Sequence, residues 1–340
     1  MSAPLTDPAA RAASGAAAAR SAARPSARPQ LRLGGGAAGP LLGLVAMFLF
    51  LSFATTTFLT TRNILNVMDQ ITVIGVMAVG MTLVILIGGI DLSVGSVLAL
   101  SAMIMGFLGK NAGWPFPLAI GVAVLVSGLC GTVCGLMITR LRMPAFIATL
   151  AMMSMARGVA SIITDGEQIV GFPGWFSDLA IIRHFGFVTV TVGVMALLAA
   201  LVWIFLAFRP TGRNLYAIGG NLEVARLAGI RVQATTVGVY TACAMFAGLA
   251  GVILSARLDS AQPSSGLGYE LDTIAAVVIG GASLSGGVGG IGGTIVGVLI
   301  IGFLRNGLNL LHVSPFVQQV VIGLVIALAV ASDTLRERRA

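Results

Sequence analysis

Between Val188 and Phe208 the chain reads "VTVTVGVMALLAALVWIFLAF", with no charged side chain. Roughly 20 mostly apolar residues are what a helix needs to cross the hydrocarbon core of a bilayer, and similar runs recur along the sequence. We read ten, at about 41–60, 71–88, 94–109, 117–138, 145–163, 188–208, 236–256, 271–284, 291–311 and 316–331, the third and eighth being short. Composition excludes the soluble alternative. Of 340 residues, 57% are hydrophobic and 9% charged, against about 25% charged in soluble domains. The expected fold class is an all-α integral membrane protein of about ten transmembrane helices with short Gly-rich breaks.

Charge then orients the chain, because cytoplasmic segments are enriched in Lys and Arg. The first 38 residues carry Arg11, Arg20, Arg24, Arg28 and Arg32 against one acid, Asp7. With that end inside, ten spans place Arg140, Arg142, Arg209, Arg213, Arg226, Arg231, Arg336, Arg338 and Arg339 inside as well. Asp69, Asp165, Glu167, Asp178, Asp259, Glu270 and Asp272 fall outside. Both termini are therefore expected in the cytoplasm. The net charge of +8 reads as topology; no basic face with interleaved aromatics suggests a nucleic-acid partner. Residues 1–38 read as a disordered Arg/Ala-rich cytoplasmic tail rather than a transit peptide, 39–332 as the transmembrane domain, and 333–340 as a basic cytoplasmic tail. Cys130, Cys134 and Cys243 lie in apolar spans, while His184 and His312 fall on outer segments. That separation leaves no metal-ligating set, so small core residues are the expectation.

The stretch "GGASLSGGVGGIGG", 280–293, contains Gly287-Val-Gly-Gly-Ile-Gly292, a literal G-x-G-x-x-G. A dinucleotide site needs a soluble strand before it, a helix after it and an acid about 20 residues on. Residues 307–313 are "GLNLLHV", with no acid, and the chain's one lysine, Lys110, sits in no Walker loop. No cofactor of its own is expected, and no catalytic residues. A better comparison is internal: "IGGIDLSVG" (87–95) and "IGGASLSGG" (279–287) both fit I-G-G-x-x-L-S-x-G. Glycine-rich low complexity yields such matches by chance as readily as duplication does. Each follows one apolar run and precedes another, where glycines permit sharp turns and close helix approach. Asp91, Ser93, Ser283 and Ser285 suit capping of the following helix. Paired helix breaks point to a transport path, to which we assign Gly88, Gly89, Asp91, Ser93, Gly95, Gly280, Gly281, Ser283, Ser285 and Gly287.

Three stretches then carry a resemblance. "MAVGMTLVILIGGIDLSVGSVLAL" (77–100), "GRNLYAIGGNLEVARLAGIRV" (212–232) and "AAVVIGGASLSGGVGGIGGTIVGVLIIGFLRNGLNLLHVSPFVQQVVIG" (275–323) resemble the permease subunits of ribose/xylose/arabinose-type ABC importers. The likeness runs from about residue 60 to 331. The N-terminal tail is outside the pattern, and His312 stands where a small residue is common. The resemblance implies an inner-membrane homodimer, separate ATPase subunits that bind the ATP, and a periplasmic or lipid-anchored sugar-binding protein. It does not separate one sugar or polyol from another. The related branched-chain amino-acid permeases share the general plan and are the nearest rival.

Ion-driven carriers usually pair ionisable groups near the midplane. Here Asp91 is the only acid read near a span interior, and it lies close to a turn. Neither a secondary transporter nor an intramembrane enzyme, which needs a metal or an acid pair, finds its residues. Arg157 reads equally as a lining residue or as a side chain snorkelling to the headgroups. Arg305, accompanied by Asn306 and Asn309 on one helix face, is expected to line the path or meet the binding protein.

Within an inner segment, 209–235, Asn221 can cap a short helix with Glu223 in its first turn and Arg226 further on, in agreement with the helix dipole. Ala225, Leu227 and Ala228 would form a small apolar face for a partner's groove. We assign ATPase coupling to Arg213, Asn214, Tyr216, Gly219, Asn221, Glu223, Ala225 and Arg226, where the family resemblance also places it. The rival reading is an amphipathic helix lying on membrane lipid.

Overall fold

The computed structural model describes residues 38–337. Residues 1–37 of the expected N-terminal tail and the last three residues of the expected basic tail lie outside the described residues; Ala38 begins the first helix. In chain order the helices are α1 (Ala38–Ala54), α2 (Thr61–Leu86), α3 (Val94–Gly106, prolonged by a π-helical turn over Phe107–Asn111), α4 (Phe116–Thr139) and α5 (Ala145–Ile162). Then come α6 (Gly174–Ile181), α7 (Val190–Phe208), α8 (Pro210–Gly220), α9 (Leu222–Leu227), α10 (Val232–Leu258), α11 (Tyr269–Ile279), α12 (Ile291–Leu310) and α13 (Pro315–Glu337). Two-residue strands make two small antiparallel pairs. β1 (Ile169–Val170) pairs with β4 (Ser260–Ala261), and β2 (Arg183–His184) with β3 (Val188–Thr189).

Local chemistry explains several boundaries. Thr60 and Thr189 cap α2 and α7, their hydroxyls accepting from the backbone N–H of Asn63 (3.3 Å) and Val192 (3.4 Å). Pro210 starts α8, where its missing N–H costs nothing. Asp259, in the left-handed region at φ 49°, ends α10.

Among the described residues seven helices are long and apolar enough to cross a membrane, and two shorter apolar ones, Gly39–Ala54 and Pro315–Val325, flank them. The expected eighth span, at 271–284, is helical only over Tyr269–Ile279. Eleven residues rise about 16 Å, half the ~30 Å hydrocarbon thickness. α2 begins ten residues earlier than hydropathy suggested, because Asn63 and Asp69 find polar partners instead of ending the helix.

The core forms around α2 and α10. Every residue of α2 from Ile71 to Leu86 is buried, and α10 packs along α2, α3 and α4. α4 and α10 approach so closely that a Cβ on Gly131 would lie 2.6 Å from Ala244 Cβ and overlap the Tyr240 carbonyl. Dispersion between backbones brought this close is what holds helices together where lipid is as apolar as leucine. Outward faces carry large apolar side chains, among them Leu125, Leu129, Leu197, Leu201 and Trp203.

Candidate functional site

The first break covers residues 87–93. Gly88, at φ 74°, turns the chain out of α2. Asp91 Oδ1 then accepts from the Ser93 N–H (2.9 Å) and the Ser93 hydroxyl (2.6 Å), closing a tight side-chain turn. Asp91 is 0% exposed, and among the described residues its buried Oδ2 has no nitrogen or oxygen partner, only the Cys243 thiol beside the carboxylate. Ser93 does occupy the N-cap position of α3, but its hydroxyl is spent on Asp91 and caps nothing. The carbonyl of Ile90 accepts long bonds (3.4 Å) from Tyr240 of α10 and Thr149 of α5, so two further helices hold the break. Gly95, at the start of α3, faces Gly266 and the Glu270 carboxylate at the mouth of α11.

The second break covers 280–290. Gly281, Gly286, Gly287 and Gly289 all have positive φ. The Ser285 N–H donates to Ser283 Oγ at 3.3 Å, the same i to i+2 turn that Asp91 and Ser93 make at the matching place in the motif. The match stops there. The left-handed glycine is the first of the pair in one break (Gly88) and the second in the other (Gly281). α3 starts directly after Ser93, whereas α12 starts at Ile291, too far on for Ser283 or Ser285 to cap it.

The two breaks touch each other. The Gly287 N–H donates to Leu86 O at 2.9 Å, and a Cβ on Gly88 would stand 3.3 Å from Ser285 O. The end of α8 meets both at that point. A Cβ on Gly219 would overlap Leu86 O and the Gly287 nitrogen, so only glycine lets the three backbones converge. Three residues earlier Tyr216 donates its phenol to Gly289 O at 3.2 Å. Burial pushes that phenol above its ordinary pKa, which keeps it a donor.

α9 follows with the capping expected of it. Asn221 Oδ1 accepts from the Val224 N–H (3.0 Å), and Arg226 pairs with Glu223 at 2.7 Å. Its faces differ from the sequence reading. Ala225 is 1% exposed and packs inward, while Leu222, Val224 and Leu227 point out, Leu227 at 88% exposure. Ala228 and Arg213 are exposed and Asn214 is half-buried. The apolar face offered outward is thus larger than Ala225, Leu227 and Ala228 would make it, and a different set.

Arg305, Asn306 and Asn309 each have a partner within the chain. Arg305 Nη2 pairs with Asp272 Oδ2, Asn306 and Asn63 exchange amide bonds at 2.8 and 3.0 Å, and Gln318 donates to Asn309 at 2.8 Å. Arg157 Nη1 donates to the carbonyls of Pro263 (2.5 Å) and Ser265 (2.7 Å). Asp91 is not the only buried acid, since Asp272 is 2% exposed. Sequence reasoning missed Asp272, Asn63, Thr149 and Tyr240. A lone tyrosine inside the apolar run 236–256 was the one signal available for the last.

Paired breaks in adjoining helices of a membrane protein are a pointer to a transport path. A family model described as "Branched-chain amino acid transport system / permease component" matches residues 63–330. The ribose import permease protein of Bacillus subtilis (strain 168) is 46% identical over 297 residues, covering 87% of this chain and 92% of its own. The D-allose and xylose transport system permease proteins of Escherichia coli (strain K12) are 38% and 34% identical, over 86% and 87% of this chain and 89% and 91% of theirs. No solved structure matches. The chain belongs to this permease family, among its ribose-type members: it is a multi-pass transporter subunit of a bacterial ABC importer and not an enzyme, with ATP bound by a partner ATPase.

Proposed function

We propose that the chain forms the membrane path of a monosaccharide importer, with two copies enclosing the path, a sugar-binding protein docking outside and ATPase subunits docking inside on α8 and α9. Both termini lie in the cytoplasm, α11 crosses half the bilayer, and the two breaks flank the path. One observation carries the mechanism: α8 sits backbone to backbone against Leu86 and Gly287, and Tyr216 bonds Gly289. A push on α9 is delivered through α8 to both breaks without an intervening flexible side chain. Ribose is the first substrate to test, because the ribose permease is the most similar of the three relatives cited. Leucine and its kin are the second, because the family model carries that description.

The test is uptake by vesicles holding the permease with its genomic-neighbour ATPase and binding protein, offered labelled ribose, allose, xylose or leucine. Ribose uptake that needs ATP supports the reading; uptake of leucine alone overturns it. Leu227→Asp changes only an exposed side chain, so it should leave the permease inserted while releasing the ATPase. Retention of the ATPase with normal uptake would remove α9 as the docking element.

A further inference from the structure

A cavity of ≈ 770 Å³ opens beside the coupling helices, between α7 and α10, with α2 at its back. It shares Asn214 with the residues assigned to ATPase coupling, while its other wall, along α10 and α7, has no part in the transport reading. Its walls divide by depth. Near the α9–α10 junction they are polar, with Arg231, Thr211, Asn214 and Thr235; further along α10 they are apolar, with Leu83, Phe205, Val239 and Ala242. Among the described residues no acidic side chain lines it. From Arg231 to Ala242 a helix rises about 16 Å, the depth of one leaflet of a ~30 Å hydrocarbon core.

We propose that this cavity holds an anionic phospholipid, with its phosphate at Arg231 and its acyl chains along α10 beneath Phe205 and Val239. Charge argues for the headgroup: an exposed guanidinium with no acid among the lining residues attracts an anion, and basic pockets between membrane helices are where anionic headgroups settle. Shape agrees with a lipid: the bore follows α10 for about 16 Å, with its polar walls at one end and its apolar walls at the other. The residue that keeps the bore open is Gly238. A Cβ there meets nothing within 4 Å, so its lack of a side chain serves no helix contact within the chain. The position beside Asn214 and Leu215 of α8 lets the lipid brace the helix that meets the breaks.

The experiment is lipid retention by the complete transporter, read without transport and therefore separable from the sugar reading. Protein reconstituted in vesicles of phosphatidylglycerol and phosphatidylcholine is extracted, washed in detergent, and its bound lipid counted by mass spectrometry. The parent protein should retain phosphatidylglycerol selectively. Arg231→Ala should lower that retention about fivefold, and Gly238→Trp, which fills the bore, should abolish it. Arg140→Ala, also basic but not at the cavity, should change nothing. Gly238→Ala, which fits the open space, guards against misfolding by retaining lipid while Gly238→Trp does not. Unchanged retention in both Arg231→Ala and Gly238→Trp overturns the proposal. So does a disulfide between two copies of Gly238→Cys, or shielding of that cysteine only when the ATPase is bound, since either result seats a protein in the cavity.

Discussion

The two ends of the helix bundle are held together by different chemistry. Around Gly88, Gly219 and Gly287 backbones meet directly, and the side-chain bonds there, from Tyr216 to Gly289 and long ones from Tyr240 and Thr149 to Ile90, end on backbone carbonyls. Around Asp69, Asp272 and Asn306 the helices are tied by side chains: Arg183 to Asp69 at 2.6 Å, Arg305 to Asp272, Asn63 to Asn306, and Arg157 to the carbonyls of Pro263 and Ser265. Directional polar ties in a low-dielectric setting specify one arrangement and are costly to leave half-made. Glycine contacts gain dispersion only while the backbones stay close, and tolerate sliding along the contact. A transporter needs one end that holds register and one that yields. If the proposed transport path is right, the polar end suits the first task and the glycine end the second.

The largest effect should come from filling the glycine contact. Gly219→Leu places a side chain where Leu86 O and the Gly287 nitrogen already stand, and should abolish ATP-driven uptake while insertion persists. Gly287→Leu should do the same, with added strain from its φ of 72°. If both variants transport normally, the glycine end is not mechanical.

Cutting one tie at the polar end should cost stability before it costs transport. Asp272 is 3% exposed at its side chain and Arg305 36%, so Asp272→Asn leaves a half-solvated guanidinium without its partner. We expect a loss of roughly 2 kcal/mol, less than the ~3–5 kcal/mol of a fully buried pair because water screens the part-exposed guanidinium, read as a lower melting temperature in detergent. Asp272→Asn with Arg305→Met should recover part of it. If the single variant lowers uptake without lowering the melting temperature, the pair belongs to the path and not to the scaffold.

Tyr216→Phe removes one neutral hydrogen bond, worth about 1 kcal/mol. It should leave stability nearly unchanged and reduce sugar-stimulated ATP hydrolysis several-fold, because the bond joins α8 to the second break. An unchanged stimulation ratio would reduce Tyr216 to packing. The smallest effect should fall on the neighbour of the critical glycine. Gly220→Ala meets nothing within 4 Å and should change stability by no more than about 0.5 kcal/mol. A large loss there would show that the whole segment, and not Gly219 in particular, demands glycine.

Much of this was legible in the sequence for a definite reason. Apolar runs, arginine placement and the capping residue Asn221 act locally, so α4, α5, α7, α9, α10 and α12 fall near where they were expected. What was not legible depends on residues far apart. Hydropathy gives α2 and α7 the same reading, yet α2 is enclosed from Ile71 to Leu86 while Leu197, Leu201 and Trp203 of α7 face outward. Polar residues at 62–70 read as a loop, because their partners, Asn306, Arg183 and Thr189, lie more than a hundred residues away.

The candidate site divides in the same manner. Its glycines, Asp91 and the α9 cap stand out in the sequence, since glycine and short polar side chains break apolar helices wherever they cluster. Which way Ala225 points, what Arg157 and Arg305 bond, and that Gly219 closes against both breaks were decided only by packing. Membrane composition and local turns follow from each residue's own solvation and backbone freedom. Burial and partnership follow from which distant surfaces the folded chain brings within a few ångströms, and no local property of a residue contains that distance.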